Sequence, residues 1–305
     1  MSQYVVYVAH RGEDEEGNGV SAVDPCTGEL LATVPLDAAP LDIVSDDGKL
    51  LVLVDDSTEL RVLELAPPRV EGGLDLTRLA KNLDRAQLLG ISPDGKRLYA
   101  ASRSVLHILD GEHPDKSVSV SADGALKIVR LVVGPDGASV YTLQEEGVVT
   151  RFDARTGEKL ARTAGMAFRS LVVHPDSSAL YSSAGPLVYR LDAATLRQTA
   201  SKKLAAAESA LAVTPDGSRL CASRVHVSDL YAATTLLLDP VTLEYDRSLA
   251  HLFFDDHRWA PDGKLATIAQ KGVAVIDLTE TGGGVVAELP GTATGVAFAV
   301  PGENT

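Results

Sequence analysis

A Pro-Asp-Gly turn set between two short apolar runs recurs along this chain, and its spacing leaves few folds open. Ser92-Pro93-Asp94-Gly95-Lys96-Arg97-Leu98-Tyr99-Ala100 shows the unit: the end of one apolar strand, the turn, then a second apolar strand. Aligned on the first turn residue, the series runs Asp46-Asp47-Gly48, Pro93-Asp94-Gly95, Pro135-Asp136-Gly137, Pro175-Asp176-Ser177, Pro215-Asp216-Gly217, Pro261-Asp262-Gly263 and a terminal Pro301-Gly302, at intervals of 47, 42, 40, 40, 46 and 40 residues. Proline pre-sets φ at the second turn position, and glycine accepts the positive φ that closes the reversal. A period of about 40–45 residues holding four strand-length segments is what a propeller blade needs. The expected class is therefore all-β: a seven-bladed β-propeller with four antiparallel strands per blade, in a single domain spanning 1–305.

The seventh repeat is split between the two ends of the chain. Gly295-Val296-Ala297-Phe298-Ala299-Val300 reads as a first strand, and Tyr4-Val5-Val6-Tyr7-Val8-Ala9 as the second strand that should follow it. Joining them predicts a ring closed by N- and C-terminal strands sharing one blade, built from about 292–305 plus 1–36, with no free sheet edge left over. A second periodic signal marks the turn between third and fourth strands: Asp24-Pro25-Cys26-Thr27-Gly28, Asp153-Ala154-Arg155-Thr156-Gly157, Asp192-Ala193-Ala194-Thr195, Asp239-Pro240-Val241-Thr242 and Asp277-Leu278-Thr279. An aspartate there hydrogen-bonds the backbone two residues on and nucleates the turn, so these carboxylates are expected to be structural.

Tyr7-Val8-Ala9-His10-Arg11-Gly12, followed by Val20 to Leu36 with its Asp24-Pro25-Cys26-Thr27-Gly28 turn, resembles one unit of the seven-bladed propellers with YVTN-type repeats. The likeness runs over essentially the whole chain. It implies the fold and leaves function open, because that group and its relatives include surface proteins, binding modules, lactone hydrolases and lyases.

Composition narrows the function classes. Only 5% of the residues are aromatic, so the core between blades must be aliphatic. The net charge is −14, from 28 basic against 42 acidic residues, and no basic stripe appears. Nucleic acid is therefore not an expected partner; the acidity serves solubility or attracts a cationic ligand. No run of about 18 apolar residues is present, so no membrane partner is expected. Met1-Ser2-Gln3-Tyr4 leads straight into a strand without a basic segment, which reads as a cytoplasmic chain. Two cysteines, Cys26 in an outer turn and Cys221 in a strand, are too few for a disulfide framework.

In such a ring the Pro-Asp-Gly and Asp-x-x-Thr turns share one face, and the opposite face carries the variable loops where function is expected. The acidic tip Arg11-Gly12-Glu13-Asp14-Glu15-Glu16-Gly17-Asn18-Gly19 and the polar turn Asp55-Asp56-Ser57-Thr58 belong to that face. So does the long insertion Ser223-Arg224-Val225-His226-Val227-Ser228-Asp229-Leu230-Tyr231-Ala232-Ala233-Thr234 in blade five. Leu76 to Leu83 reads equally well as a helical turn or an extension of the outer strand.

The repeat breaks in one place. Four residues before the turn, the innermost strands carry Asp42, Leu89, Leu131, Leu171, Leu211, His257 and Ala297, and blade six replaces the whole apolar run with Phe253-Phe254-Asp255-Asp256-His257-Arg258-Trp259. Charge beside a core costs several kcal/mol unless it is paired, wetted or bound to a ligand, so local rules fail where function is expected. Ring order would bring His10, Arg11, Asp42, Arg224, His226 and Trp259 to the same channel mouth as binding groups. In the catalytic form, His257 is the acid or base, Asp256 or Asp42 fixes its tautomer, and Arg258 or Arg11 stabilises an oxyanion, which suits a hydrolase, lyase or cyclase. A divalent metal on His10, His226 and His257 is a minor alternative, because no H-x-H or H-x-x-x-H spacing supports it; no cofactor is expected. The same groups equally suit a small polar ligand held without chemistry, a protein partner on the variable face, or a purely structural Asp-His-Arg network. His107, His113, His174 and His251 fall on strands or in the turn face and are read as structural.

Overall fold

Alternating apolar strands and tight turns leave the backbone one way to satisfy its N–H and C=O groups, which is to pair each strand with the next in antiparallel sheets. The computed structural model describes residues 4–12, 17–46, 49–55, 59–65, 68–76, 83, 86–111, 113–122, 126–204, 209–224, 234–250, 257–260, 263–269, 272–276, 284–289 and 292–299. In chain order the strands are β1 (Val5–Arg11), β2 (Gly19–Val23) and β3 (Leu30–Pro35); β4 (Pro40–Asp46), β5 (Lys49–Val54), β6 (Glu59–Leu65) and β7 (Pro68–Asp75); β8 (Leu88–Ile91), β9 (Arg97–Ser102), β10 (Val105–Asp110) and β11 (Val118–Ser121). There follow β12 (Ile128–Val133), β13 (Ser139–Gln144), β14 (Val149–Asp153) and β15 (Lys159–Arg162); β16 (Val172–Val173), β17 (Ala179–Ala184), β18 (Leu187–Asp192) and β19 (Gln198–Lys203). The series ends with β20 (Ser209–Val213), β21 (Leu220–Arg224), β22 (Thr234–Leu238) and β23 (Tyr245–Ala250); β24 (His257–Trp259), β25 (Leu265–Ala269), β26 (Gly272–Ile276) and β27 (Gly284–Glu288); and β28 (Thr292–Ala299).

Each group forms a four-stranded sheet in sequence order, and β28 joins β1, β2 and β3 as their first strand. The register of that join runs from Val5↔Ala299 to Arg11↔Thr292, so both ends of the chain contribute to one sheet as the split repeat requires. The chain divides into two compact units, Met1–Leu89 with Phe254–Thr305, and Gly90–Phe253. The first holds the sheets β28-β1-β2-β3, β4–β7 and β24–β27; the second holds β12–β15, β16–β19, β20–β23 and the sheet of β8–β11 from Gly90 onward.

Burial follows strand position within each sheet. Second strands are buried on both faces, as β9, β13 and β17 show, whereas the fourth strands β3, β15 and β19 carry mostly exposed and half-buried residues along the sheet edge. The core is aliphatic as the composition demands, with Tyr99, Tyr181, Phe152 and Phe168 the aromatic exceptions among the largest fully buried side chains. The turn aspartates do what their pattern predicts: one carboxylate oxygen of Asp153 accepts the Arg155 and Thr156 N–H groups at 2.9 and 2.8 Å, and Asp24 and Asp239 repeat the arrangement. In the Pro-Asp-Gly turns, Asp136, Asp176 and Asp216 each accept the N–H two residues on at 2.8–3.0 Å.

A tyrosine ties one sheet to the next. The hydroxyl of Tyr99 donates to the Ala154 carbonyl at 3.0 Å, Tyr141 to Ala193 at 3.2 Å and Tyr181 to Pro240 at 2.8 Å, each acceptor being the residue after the turn aspartate of the following sheet. In the first unit Tyr7 reaches Leu65 in the same way at 3.4 Å. A buried hydroxyl with no partner would cost about 1–3 kcal/mol, so each of these bonds fixes the rotation of one sheet against its neighbour.

Candidate functional site

The first strands of three sheets come together within the first unit. β28 packs against both β4 and β24, which places the strand carrying His257 and the strand carrying Asp42 on either neighbour of the terminal strand. Gly295 makes the close approach of β28 to β4 possible, since a Cβ there would lie 3.0 Å from Ile43 Cγ2 and 3.3 Å from Ile43 N. His257, Arg258 and Trp259 pair across β24 and β25 with Thr267, Ala266 and Leu265. The backbone thus sets the strand that carries the break in the repeat beside β28; the side chains of His257 and Arg258, and Asp256 altogether, lie outside the described residues.

Asp42 is buried, and its carboxylate is committed to backbone. One oxygen accepts the Ile43 N–H at 2.9 Å and the other the Leu89 N–H at 2.8 Å. Leu89 holds in its own sheet the register position that Asp42 holds in the preceding one, so the carboxylate links the first strands of successive sheets. A polar residue at this position can therefore serve the scaffold without meeting a ligand.

His10 is also fully buried. Its Nδ1 lies 3.1 Å from the Gly17 carbonyl, which can only accept, so Nδ1 carries the proton; Nε2, 2.9 Å from the Ser21 hydroxyl, then accepts. Ser21 continues the chain to the Thr33 hydroxyl at 3.0 Å. Burial pushes the His10 pKa below its usual value, and both nitrogens of the neutral ring are engaged. The β8–β11 sheet repeats the device: His107 sits between the Ser102 hydroxyl at 2.8 Å and the Ser119 hydroxyl at 2.9 Å, with burial lowering its pKa to about 4. His107 is structural, as expected, and the geometry of His10 matches it rather than that of an open ligand site.

Arg11, one residue on, is exposed and pairs with Asp55 at 3.1 Å, each side chain being 50% exposed. Asp55 lies just after β5, in the polar turn Asp55-Asp56-Ser57-Thr58 of the sequence, and meets Arg11 at the end of β1. Trp259 is half-buried, and its indole Nε1 is buried without a hydrogen-bond partner among the described residues. Arg224 ends β21, paired with Ser209 and Thr234, and its side chain lies outside the described residues, as does His226. His113 is exposed 3.5 Å from Asp110, and His174 bridges Asp176 and the Gly217 carbonyl in the turn region. Both cysteines are free; burial raises the Cys221 thiol to about 12, which removes it as a nucleophile. Among the described residues no three His, Cys, Asp or Glu side chains gather to hold a metal ion, and no helix is long and apolar enough to cross a membrane.

No protein-family model matches the sequence, and no curated protein does. Solved structures do match the fold. A functionally unknown protein from Desulfotomaculum acetoxidans is 16% identical with a TM-score of 0.75, covering 99% of this chain and 100% of that one. A putative 6-phosphogluconolactonase from Bacteroides fragilis is 13% identical with a TM-score of 0.70 over 98% of both chains. Hydrazine synthase from Kuenenia stuttgartiensis is 15% identical with a TM-score of 0.62, covering 78% of this chain and 76% of that one. At these identities the likeness speaks for architecture alone, a repeated β-sheet fold of propeller type.

Proposed function

We propose that the chain is a seven-bladed propeller, closed through β28, that binds a small polar molecule at the mouth of its channel. The observation that carries this reading is the adjacency of β4, β28 and β24, with His257 and Arg258 on β24 at the repeat positions that Ala297 and Phe298 hold in β28. The indole N–H of Trp259 on the same strand, without a partner among the described residues, adds a buried donor that a polar ligand or water would satisfy.

In the catalytic form of this reading, His257 acts as acid or base, Asp256 orients it, and Arg258 stabilises the developing negative charge. Arg11 is the second cation available, because its exposed pair with Asp55 is weak enough for an anionic group to displace. His10 and Asp42, engaged by hydroxyls and backbone, hold the frame. The reading requires no metal or cofactor. Reaction types open to such a set are hydrolysis, elimination and ring opening or closure, and the similar structure named a putative lactonase makes sugar lactones the first substrates to try.

The commitment of Asp42 to the scaffold favours a second reading, in which the loop face holds a protein partner and no chemistry occurs. Proton release from a panel of aldonolactones, with and without a phosphate, separates the two. Turnover that His257→Ala lowers at least about 100-fold, with the circular dichroism spectrum and melting temperature kept, supports the enzyme. Equal rates for wild type and His257→Ala, or no lactone turned over and none raising the melting temperature, overturns it in favour of the partner-binding form.

A further inference from the structure

In the second unit, a cleft of about 300 Å³ opens between the connection that leaves β15 and the turn joining β18 to β19. Its floor is apolar: Phe168, Leu191 and Leu196 are buried and Met166 lies half-buried beside them. Arg162 and Arg197 stand at its mouth, both exposed. Neither guanidinium has a hydrogen-bond or ion-pair partner among the described residues, whereas Arg61, Arg151 and Arg219 are all engaged. The hydroxyls nearby are already used, Thr163 by the Val149 N–H and Thr195 by Asp192. No carboxylate lines the cleft. Two uncommitted cations over an apolar floor, in a chain of net charge −14, form a local reversal of the molecule's field.

The walls are fixed in place. Gly147, at φ +77°, turns the β13–β14 hairpin against the connection so closely that a Cβ would fall 2.1 Å from the Phe168 nitrogen. The connection is also tied by Thr163 N–H to the Val149 carbonyl at 2.9 Å and by Arg169 N–H to the Ser183 carbonyl at 2.8 Å. Phe168 meets Tyr189 edge-on, with ring centroids 5.3 Å apart. A preformed cleft spends little ordering free energy on a ligand.

We propose that this cleft binds a small amphipathic anion, its single negatively charged head held by Arg162 and Arg197 and its apolar tail laid on Met166, Phe168 and Leu196. A guanidinium pair recognises an oxyanion by forked hydrogen bonds, and the volume suits a tail of several carbons at the lower end of small-molecule sites. The site shares no residue with the candidate channel mouth, so its fate is independent of that reading.

The chain has just two methionines, Met1 and Met166, which makes the cleft directly observable. In the full-length protein labelled with 13C at the methionine methyls, the resonance lost in Met166→Leu identifies the reporter. Octanoate should move it saturably, octanol at the same concentration should not, and Arg162→Gln/Arg197→Gln should weaken the octanoate effect at least about 10-fold. A Met166 signal untouched by octanoate, moved equally by octanol, or moved equally in the double variant would overturn the proposal. Should the double variant fail to fold, the comparison of octanoate with octanol on the wild type decides alone.

Discussion

Asp42 joins two first strands through a single carboxylate, one oxygen on the Ile43 N–H and the other on the Leu89 N–H. Its position four residues before the turn marks it as a break in an aliphatic series, and the structure confirms that it lies on a first strand beside β28. Its carboxylate, however, closes on the Leu89 N–H of the next sheet, 47 residues away, and nothing in a local pattern announces that contact. Asp42→Ala should orphan the buried Leu89 N–H and lower stability by about 1–3 kcal/mol, while Asp42→Asn, which keeps one acceptor oxygen, should lose less; urea unfolding of the three proteins measures the order. Equal stability of all three would deny the linking role. The tyrosine clasps are legible in the turn spacing: Tyr99, Tyr141 and Tyr181 each stand six residues after the first turn residue.

At the scale of strands and sheets, the sequence pattern succeeds wherever the determinant is local. Four strands per repeat, the aspartate-nucleated turns and the pairing of Val5–Arg11 with Thr292–Ala299 all follow from periodicity and turn chemistry. It fails where hydrogen bonds cross strands, because the partners of His10 are set by register and not by neighbours in the chain. The burial of His107 makes the β8–β11 sheet sensitive to acid. His107 is depressed to about 4 in the folded protein from an ordinary 6.5, so the unfolded chain takes up a proton first as the pH falls. The stability His107 contributes is whole above pH 6.5 and is lost as the pH drops towards 4, with a slope of at most about 1.4 kcal/mol per pH unit. His107→Gln should flatten that part of the curve in urea unfolding at stepped pH; an unchanged slope would show that the acid lability resides elsewhere.

Across the whole molecule, β28 is the element on which most depends. It covers the edge of β1, and through Val296 and Ala297 it enters the apolar clusters on both sides of its own sheet. Deleting 292–305 should bare the β1 edge and leave a gap in both clusters, giving a chain that aggregates on size-exclusion chromatography or loses cooperative unfolding; a monomeric, cooperatively melting truncation would contradict this. The cleft of Arg162 and Arg197 belongs to this scale too. Its two cations are 35 positions apart, on separate sheets, and no motif joins them.

The pairing of the two ends also imposes an order of events during synthesis. β1, β2 and β3 leave the ribosome before the other sheets, yet their first-strand partner emerges only after every one of those sheets has been made, a wait on the order of tens of seconds at about 5–20 residues per second. The nascent chain must carry that unfinished sheet, with the β1 edge open to any passing strand, until β28 has been made. Chaperone demand should therefore peak just before β28 emerges, and codon changes that slow the stretch leading into β28 should reduce soluble yield more than the same changes made midway through the sheets.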